Sequence, residues 1–169
     1  PEAAASAMTV ASFDYDTAIL GAGAAGIMCA AEAGARGGRV LVVDHAKAPG
    51  EKIRISGGGR CNFTNIHAGP HAFVSNNPHF AKSALGRYTA ADFVDLVRAH
   101  GIAFHEKTLG QLFCDDSARD IIRLLLDEMA KVGAELRLKT SLEEIAPEPA
   151  GDGFTLRLSG ASRPIRCRS

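Results

Sequence analysis

The chain has 169 residues, of which 46% are hydrophobic and 22% are charged, a composition typical of a globular domain with a buried core. Its 19 Lys and Arg residues balance 19 Asp and Glu residues, so the formal net charge is zero. We find no stretch that gathers the basic patch on which nucleic-acid binding usually depends. The charge balance therefore predicts that nucleic acid is not a partner.

The sequence predicts neither a membrane segment nor an export signal. The apolar run over residues 19–31 is shorter than a membrane span and is interrupted by glycines. The opening stretch, PEAAASAM, has no basic residue ahead of an apolar core, so we expect a cytoplasmic protein. The cysteines form no CxxC pair, which predicts free thiols, no zinc site and no disulfide framework. They are Cys29, Cys61, Cys114 and Cys167.

The early part of the chain predicts a strand, a helix and a second strand. Residues 16–21 (DTAILG) are typical of a short buried strand, and the small residues of 24–36 predict a helix ended by two glycines. Residues 39–44 (RVLVVD) predict a second strand, and its unbroken Val and Leu run indicates burial on both faces. Because a helix forms the crossover, we expect the two strands to be parallel.

The middle of the chain predicts a long loop and then two helices. Residues 45–87 are rich in proline, glycine and asparagine and hold no regular period, which is typical of a functional or disordered loop. Two amphipathic helices follow, and each is expected to begin at a capping box. The boxes pair Thr89 with Asp92 and Ser117 with Asp120.

The last part of the chain predicts strands. Residues 134–145 alternate apolar and charged side chains and predict a third strand beside the first two. Residues 154–160 and 163–169 predict two short antiparallel strands. The sequence then stops without a closing helix or strand, so we expect the chain to be truncated.

The motif GAGAAG, at residues 21–26, matches the dinucleotide-binding fingerprint in the required context of a strand followed by a helix. Gly21 would make the tight turn out of the strand, Gly23 would let a pyrophosphate reach the backbone, and Gly26 would let the helix lie close to the sheet. The free N–H groups of Ala24 and Ala25 would face the phosphates at the positive end of the helix.

Asp44 follows the second predicted strand, about twenty residues after the fingerprint. A carboxylate there would accept hydrogen bonds from an adenosine ribose and would disfavour a 2′-phosphate, which makes NADP the poorest candidate. His45 and Lys47 nearby weaken the argument against NADP. The fingerprint and this acid do not separate NAD from FAD.

A second glycine-rich stretch, SGGGRCNFTN, occupies residues 56–65. Consecutive glycines are kept where the backbone takes unusual dihedrals or where a ligand approaches it, and their N–H groups can form an anion-binding nest. Lys52 and Arg60 would supply positive charge to a phosphate. Side chains that can bond a ring edge stand at Asn62, Thr64 and Asn65.

The order of these motifs, from the fingerprint through the acid and PGEKIRISGGGRCNFTN to EKTLGQLFCDDSA and GAELRLKTSLEEI, closely resembles the HI0933-like family of FAD-dependent oxidoreductases, also called BaiN-like or YhiN-like flavoproteins. The resemblance covers the chain from Asp16 to its end. It implies an α/β, Rossmann-like FAD/NAD(P)-binding fold of the two-dinucleotide flavoprotein type. The expected divisions are a tail (1–15), the first part of the FAD-binding domain (16–146) and the start of a β-meander (147–169).

The resemblance also implies FAD as the cofactor and gives roles to individual residues. Ala24 and Asp44 would contact the pyrophosphate and ribose, and Leu142 would offer its backbone to the adenine. The expected activity is oxidation or reduction of a small organic molecule, with NAD(P)H as a candidate electron partner. The remaining expected contacts are Glu51 and Lys52 on the adenosine side, and Gly57, Gly58, Gly59, Arg60, Cys61, Asn62 and Thr64 at the flavin end.

Two other functions stay open at this stage. The chain would also suit a non-enzymatic module that binds an adenine dinucleotide, or an NAD-binding dehydrogenase domain, although the latter leaves residues 56–65 without a task. Cys61 beside Arg60 invites a redox role, but a cysteine without a resolving partner is more often a small packing residue. Members of the resembled family are longer, which agrees with a truncated chain.

Overall fold

The computed structural model describes residues 12–149 and 151–169, so most of the predicted tail lies outside the described residues. Within these ranges the chain forms an α/β fold, and no described helix is long and apolar enough to cross a membrane. The strands are β1 (Thr17–Leu20), β2 (Val40–Val43), β3 (Asn62–Asn65), β4 (Phe104–Glu106), β5 (Gln111–Cys114), β6 (Glu135–Arg137), β7 (Leu142–Pro147), β8 (Phe154–Leu158) and β9 (Ile165–Cys167). The α-helices are α1 (Ala24–Ala35), α2 (Glu51–Ile55), α3 (Lys82–Arg87), α4 (Ala90–Ala99) and α5 (Ala118–Lys131).

The central parallel sheet has the order β1-β2-β6, and its middle strand is buried on both faces. Val40 and Val42 pack into a core shared with α1 and α5, while Leu41 and Val43 pack into a second core on the opposite face. A strand covered on both sides has no polar face, which explains its run of Val and Leu. The predicted strand–helix–strand unit and its parallel pairing are confirmed.

An antiparallel sheet, β7-β8-β9, covers the second face of the parallel sheet. Its buried side chains, which pack against β2, are Leu156, Leu158, Ile165 and Cys167. The chain then runs alongside β1, because Tyr15 and Cys167 form a parallel bridge and the N–H of Ala18 donates to the Ser169 carbonyl at 2.7 Å. The predicted antiparallel strands at the end of the chain are therefore confirmed.

The long loop predicted over residues 45–87 is wrong in three places, because it contains α2, β3 and α3. Helices α2 and α3 have five and six residues, too short to show a helical period. Strand β3 pairs antiparallel with β5, and the two join β4 in a third sheet of order β3-β5-β4. Its partner strand lies nearly fifty residues further along the chain, so no local sequence pattern predicts β3.

The third predicted strand is divided in the structure. Only β6 joins the parallel sheet, beside β2 as expected, whereas β7 belongs to the antiparallel sheet. The chain changes direction at Lys139, which has φ of 53°. The alternating pattern of residues 134–145 thus spans two strands of different sheets.

The two helix starts differ in their chemistry. The capping box of Thr89 with Asp92 is present in full. Ser117 instead accepts the N–H of Arg119 at 3.2 Å, and the carboxylate of Asp120 pairs with Arg123. Helix α5 begins where the sequence predicts, but the second capping box was a wrong prediction.

Candidate functional site

The fingerprint forms a tight turn between β1 and α1. Gly21 has φ of +111°, a conformation that favours glycine. A Cβ atom on Gly26 would stand 1.9 Å from the Gly21 carbonyl oxygen, so only glycine lets α1 lie this close to the end of β1. This contact gives the third glycine the packing role expected from the sequence.

The N-terminus of α1 is open to a ligand. Its N-cap residue is Gly23, no side chain caps it, and its first turn carries no acidic residue. A Cβ atom built on Gly23 would meet nothing within 4 Å. The N–H groups of the first turn, which include those of Ala24 and Ala25, have no intrahelical acceptors. An uncapped helix end of this kind fits a phosphate group.

Asp44, just after β2, is hydrogen-bonded to the fingerprint itself. Its carboxylate accepts the N–H of Ala22 at 2.6 Å and the N–H of Ala46 at 2.8 Å. These bonds hold the pKa of Asp44 below its ordinary value, and the bond from Ala46 has the largest effect. Burial acts in the opposite direction. The side chain is 15% exposed, and Nδ1 of His45 lies 3.5 Å from Oδ1. Oδ2 accepts only the Ala22 N–H and keeps a lone pair for a further donor such as a ribose hydroxyl.

A cavity of about 410 Å³, here called the strand-end cleft, lies beside Asp44. The chain leaving β6 closes one side of it, because the N–H groups of Lys139 and Thr140 donate to the carbonyls of Ala46 and Asp44 at 3.0 and 2.9 Å. This crossing carries Leu142 to the cleft. Three predicted site residues therefore meet there, namely Gly21, Asp44 and Leu142.

A second cavity of about 450 Å³, here called the helix-side cleft, is lined by Ala24 and Ala25 at the start of α1. Its floor is apolar, and Lys52, Ser56 and Asn62 supply polar groups along it. Five predicted site residues line it, namely Ala24, Ala25, Lys52, Cys61 and Asn62.

Gly50 brings the chain after β2 back to the fingerprint. Its N–H donates to the Ala22 carbonyl at 2.8 Å, and its φ of +67° lies in the left-handed region. A Cβ atom at this position would stand 2.8 Å from Cγ1 of Ile122 on α5. The close approach sets α2 against α5 and places Lys52 beside the N-terminus of α1.

The second glycine stretch folds at residues 56–61 into a compact left-handed turn, here called the glycine turn. Gly57, Gly58 and Gly59 all have positive φ in it. The N–H of Arg60 donates to the Gly57 carbonyl at 3.4 Å, and the N–H of Cys61 donates to the Ser56 carbonyl at 3.1 Å. Those two N–H groups are therefore used inside the turn. An anion at this turn would have to be bound by the glycine N–H groups.

Cys61 lies in the core that contains α5, with 5% of its surface exposed. Burial raises the pKa of its thiol, and a bond with Ser56 opposes this shift. Burial likewise raises the pKa of Cys114, in the same core, to about 12. Because the thiolate is the reactive form, this environment favours the packing role over the redox role for Cys61.

Several predicted site residues line neither cleft. Glu51 and Arg60 are exposed on α2 and on the glycine turn, and Thr64 lies within β3. The amide of Asn65 is used locally, because Nδ2 donates to the Leu109 carbonyl and Oδ1 accepts the N–H of His67, each at 2.8 Å. The other predicted residues outside both linings are Gly23, Gly26, Gly57, Gly58 and Gly59.

The apolar floor of the helix-side cleft was missed by the sequence reasoning. Phe63 packs edge-on against Phe93 and Phe104, with ring centroids 6.0 and 5.4 Å apart. The amphipathic period of α5 indicated a buried face but not a cleft. The large apolar residues of the floor are Met28, Ile53, Phe63, Phe93, Ile121 and Leu125.

The described residues contain no group of three or more His, Cys, Asp and Glu side chains arranged to hold a metal ion. The strand-end cleft offers the carboxylate of Asp44, and the helix-side cleft offers the ammonium of Lys52, the polar groups of Ser56 and Asn62, and apolar surface. This set of groups suits an elongated ligand with an anionic centre and two rings.

Comparison with other proteins gives two relatives with the same name. The chain is 56% identical over 146 residues to the ribosomal RNA dihydrouridine synthase of Escherichia coli K12, covering 86% of this chain and 36% of that protein. It is 50% identical over 127 residues to the protein of that name in Haemophilus influenzae Rd, covering 75% of this chain and 32% of that protein. The chain thus spans about a third of the length of these relatives.

A more distant relative has a different name. The 3-dehydro-bile acid delta(4,6)-reductase of Clostridium scindens is 26% identical over 149 residues, and the match covers 86% of this chain and 36% of that protein.

Solved structures share the fold at low sequence identity. A 3-ketosteroid-delta4-(5alpha)-dehydrogenase from Rhodococcus jostii RHA1 superposes with a TM-score of 0.64 at 14% identity, over 96% of this chain and 46% of that one. A mutant of halogenase PltM, solved in complex with FAD, gives 0.53 at 20% identity, over 91% of this chain and 33% of that one. Both comparisons support the Rossmann-like α/β fold. A family profile, described as the HI0933-like protein Rossmann domain, matches residues 15–168, and the chain belongs to that family.

Proposed function

We propose that this chain is the FAD-binding part of a flavin-dependent enzyme that reduces uridine in ribosomal RNA to dihydrouridine. The observation that carries the proposal is the 56% identity over 146 residues to the Escherichia coli protein named for that activity. The two clefts support the cofactor, because Gly21 of the fingerprint lines one and Ala24 and Ala25 of the same motif line the other, and a dinucleotide needs a place for each of its two ends.

The strand-end cleft would hold the adenosine end of FAD. Asp44 would accept the ribose hydroxyls through its free lone pairs, and Leu142 would contact the adenine through its backbone. The uncapped end of α1 would bind the pyrophosphate with the N–H groups of Ala24 and Ala25. FAD is favoured over NAD because the helix-side cleft and the glycine turn provide a second, largely apolar place for a ring system.

When bound, a reduced flavin supplies a hydride, and the C5–C6 double bond of uracil takes up that hydride and one proton. The chain's own part would be to hold and shield the site. Lys52, at the helix-side cleft, would place positive charge near a reduced, anionic ring, and Phe63 and Phe93 would exclude water. Arg60 would add a second positive charge from the glycine turn. NAD(P)H remains the proposed electron donor.

This proposal replaces two expectations drawn from the sequence. Zero net charge led us to exclude nucleic acid and to expect a small organic substrate. The two relatives named for ribosomal RNA do not support that exclusion. Net charge describes the whole chain and says nothing about how charge is distributed along it.

A second candidate is a flavin-dependent reductase of a small molecule. The observation that favours it is the relative from Clostridium scindens, which is named as a bile acid reductase. Its identity of 26% is less than half that of the Escherichia coli protein, so we place it second.

The deciding experiment uses the protein expressed from its complete reading frame. Ribosomal RNA from cells that lack the gene, and from cells in which it is restored, would be digested to nucleosides and analysed by mass spectrometry. We expect a nucleoside two hydrogens heavier than uridine only when the gene is present, and FAD released from the purified yellow protein. A protein that binds FAD but leaves the RNA unchanged would favour the small-molecule reductase, and a protein that binds no FAD would overturn both candidates and leave a non-flavin nucleotide-binding module.

A further inference from the structure

The charge of this chain is unevenly distributed along the sequence. Residues 52–91, here called the acid-free segment, contain no Asp or Glu but include Lys52, Arg54, Arg60, Lys82 and Arg87. Three of the six histidines also lie there. Because the whole chain is neutral, the remaining residues carry a matching negative excess. The segment is positive because acidic residues are absent from it, since its share of Lys and Arg is close to that of the whole chain.

The positive charges of this segment are not neutralised inside the fold. Among the residues that the structure describes, none of the five basic side chains of the segment forms an ion pair. Arginines elsewhere do, such as Arg98 with Asp95 and Arg166 with Glu148. Within the segment, Arg54 is tied to the Pro49 carbonyl at 3.1 Å, whereas Lys82 and Arg87 are exposed on α3.

Aromatic side chains are exposed on the same segment. Phe80 is 74% exposed and Phe73 is 50% exposed, while Val74 between them is fully exposed. All residues from 71 to 80 are exposed. Aromatic faces next to unpaired positive charge form the combination on which unpaired bases stack while their phosphates are neutralised.

The segment also adjoins the proposed cofactor site. It begins in α2 and passes through the glycine turn, and its residues Lys52 and Asn62 line the helix-side cleft. Residues 66–88 continue the chain directly from β3, whose residues Asn62 and Phe63 line that cleft. An enzyme that reduces a base must take that base out of its stack to reach the flavin, which requires a surface that holds unpaired RNA.

We infer that residues 66–88 of the acid-free segment form the surface that binds unpaired RNA, with Lys82 and Arg87 contacting phosphates and Phe73 and Phe80 stacking on bases. The identity of the ligand as RNA rests on the proposed function, whereas the charge distribution and exposure do not. A protein partner, including another part of a longer chain, would leave these positive charges without acidic partners unless it supplied its own. An RNA strand supplies one negative charge with every nucleotide.

The test measures binding of a fluorescent single-stranded oligouridylate to the protein expressed from its complete reading frame. The charge variant is Lys82→Gln/Arg87→Gln and the stacking variant is Phe73→Ala/Phe80→Ala. Arg119→Gln/Lys139→Gln removes two exposed charges that form no ion pair among the described residues and lie outside the segment, and serves as the matched control. FAD content and circular dichroism of every variant establish that it is folded.

The affinity for RNA falls as salt rises, and each phosphate contact to a single strand makes the slope of log affinity against log salt steeper by about 0.7. Loss of two contacts in the charge variant is therefore expected to make this slope shallower by about 1.4. The stacking variant is expected to weaken binding at least about fivefold with an unchanged slope. The control should bind like the parent. Folded charge and stacking variants that bind oligouridylate as the parent does would overturn the inference, as would an equal loss in the control.

The outcome is separable from that of the proposed function. If ribosomal RNA carries no dihydrouridine dependent on the gene but the two variants weaken RNA binding as expected, the surface stands and the enzyme activity is wrong. If dihydrouridine is formed but the variants bind normally, the activity stands and the surface is wrong. If the stacking variant loses thermal stability without losing RNA binding, Phe73 and Phe80 pack within the protein, and their proposed role in stacking on bases is wrong.

Discussion

The carboxylate of Asp44 accepts the backbone N–H of Ala22 at 2.6 Å, which joins the end of β2 to the fingerprint turn after β1. The same carboxylate accepts the N–H of Ala46 at 2.8 Å. One side chain therefore fixes the two loops between which the proposed adenosine would lie. Its position serves the fold as well as the ligand, so its replacement should affect both.

Asp44→Ala should lower the free energy of unfolding by about 2 to 3 kcal/mol, because two backbone N–H groups lose a charged acceptor. It should also weaken FAD binding. Urea denaturation followed by circular dichroism measures the first effect and flavin fluorescence the second. Asp127→Ala, at an exposed position on α5, is the control and should change stability by less than about 0.5 kcal/mol.

The stability contributed by Asp44 should depend on pH in a defined direction. Its pKa in the folded protein lies below its ordinary value of 3.8, chiefly because the Ala46 N–H bonds to the charged form. The difference between the parent and Asp44→Ala is therefore complete above pH 3.8 and is lost as the pH falls from there through the folded-state pKa. A difference that stays constant into strong acid would show that the charge of this carboxylate has no part in it.

The second and third glycines of the fingerprint should separate binding from folding. In Gly26→Ala the new Cβ would stand 1.9 Å from the Gly21 carbonyl oxygen, so α1 must shift and the free energy of unfolding should fall by about 2 to 3 kcal/mol. In Gly23→Ala the Cβ meets nothing within 4 Å, and stability should stay within about 1 kcal/mol of the parent.

Gly23→Ala should nevertheless weaken FAD binding by at least about tenfold, because its methyl group would occupy the space proposed for the pyrophosphate and displace a charge-assisted bond. Calorimetry with FAD measures this loss. Gly86→Ala, on α3 and with open space around it, is the matched control and should bind FAD like the parent. Normal FAD affinity in folded Gly23→Ala would place the pyrophosphate elsewhere.

Local patterns predicted the parts of this fold that depend on neighbours in sequence. The run VLVV predicts β2 because a strand buried on both faces needs apolar residues throughout. The spacing of GAGAAG predicts the fingerprint turn because a tight turn needs glycines at those positions. Strand β3 could not be found this way, because it exists through its pairing with β5. The contact of Gly50 with Ile122 likewise joins distant parts of the chain.

The candidate site shows the same limit. The sequence singled out Asp44 as a ribose ligand but could not reveal that Ala22 and Ala46 already bond to its carboxylate. The sequence also did not reveal that Phe63 and Phe93 form the floor of a cleft, because these residues lie thirty positions apart and meet only where α4 packs near β3. The acid-free segment was readable from the sequence, but a search for clustered basic residues does not find it, because its distinguishing feature is the absence of acidic residues.

The glycine turn permits a comparison of two adjacent positions. Gly57→Ala and Gly58→Ala both place a side chain at positive φ, which costs about 1 kcal/mol. A Cβ on Gly57 would also stand 2.6 Å from the ring of Phe113, while one on Gly58 meets nothing within 4 Å. Gly57→Ala should therefore be the more destabilising by about 1 to 3 kcal/mol in urea denaturation.

The ring of Phe113 provides a check on that mechanism. In Gly57→Ala/Phe113→Leu the smaller side chain should recover part of the stability lost in Gly57→Ala, giving a favourable coupling between the two substitutions. Equal destabilisation by Gly57→Ala and Gly58→Ala would mean that backbone strain alone decides the cost. Additive losses in the double variant would mean that the ring yields freely and would assign any excess cost of Gly57→Ala to the backbone N of Asn62, which would stand 2.9 Å from the new Cβ.

The four cysteines should differ sharply in reactivity. Cys29 is exposed on α1, whereas burial raises the pKa of Cys61, Cys114 and Cys167. A thiol reagent at neutral pH should modify one thiol quickly in the folded protein and the other three only after unfolding, since the thiolate is the reactive form. Cys29→Ser should abolish the fast phase, and a fast phase that survives this change would place a reactive thiol in the core.

The same burial decides the role of Cys61 in the proposed reaction. Cys61→Ala should keep bound FAD and most of the dihydrouridine formed, with a loss of stability of about 1 kcal/mol for the lost packing. A thiol that took part in proton or electron transfer would instead cost most of the turnover without changing FAD content. Because Cys114 packs in the same core without being among the predicted ligands, Cys114→Ala gives the reference for a purely structural loss. Equal turnover in the two variants would mean that both thiols serve only the packing of the core. A loss of turnover in Cys61→Ala alone would mean that the Cys61 thiol takes part in the reaction.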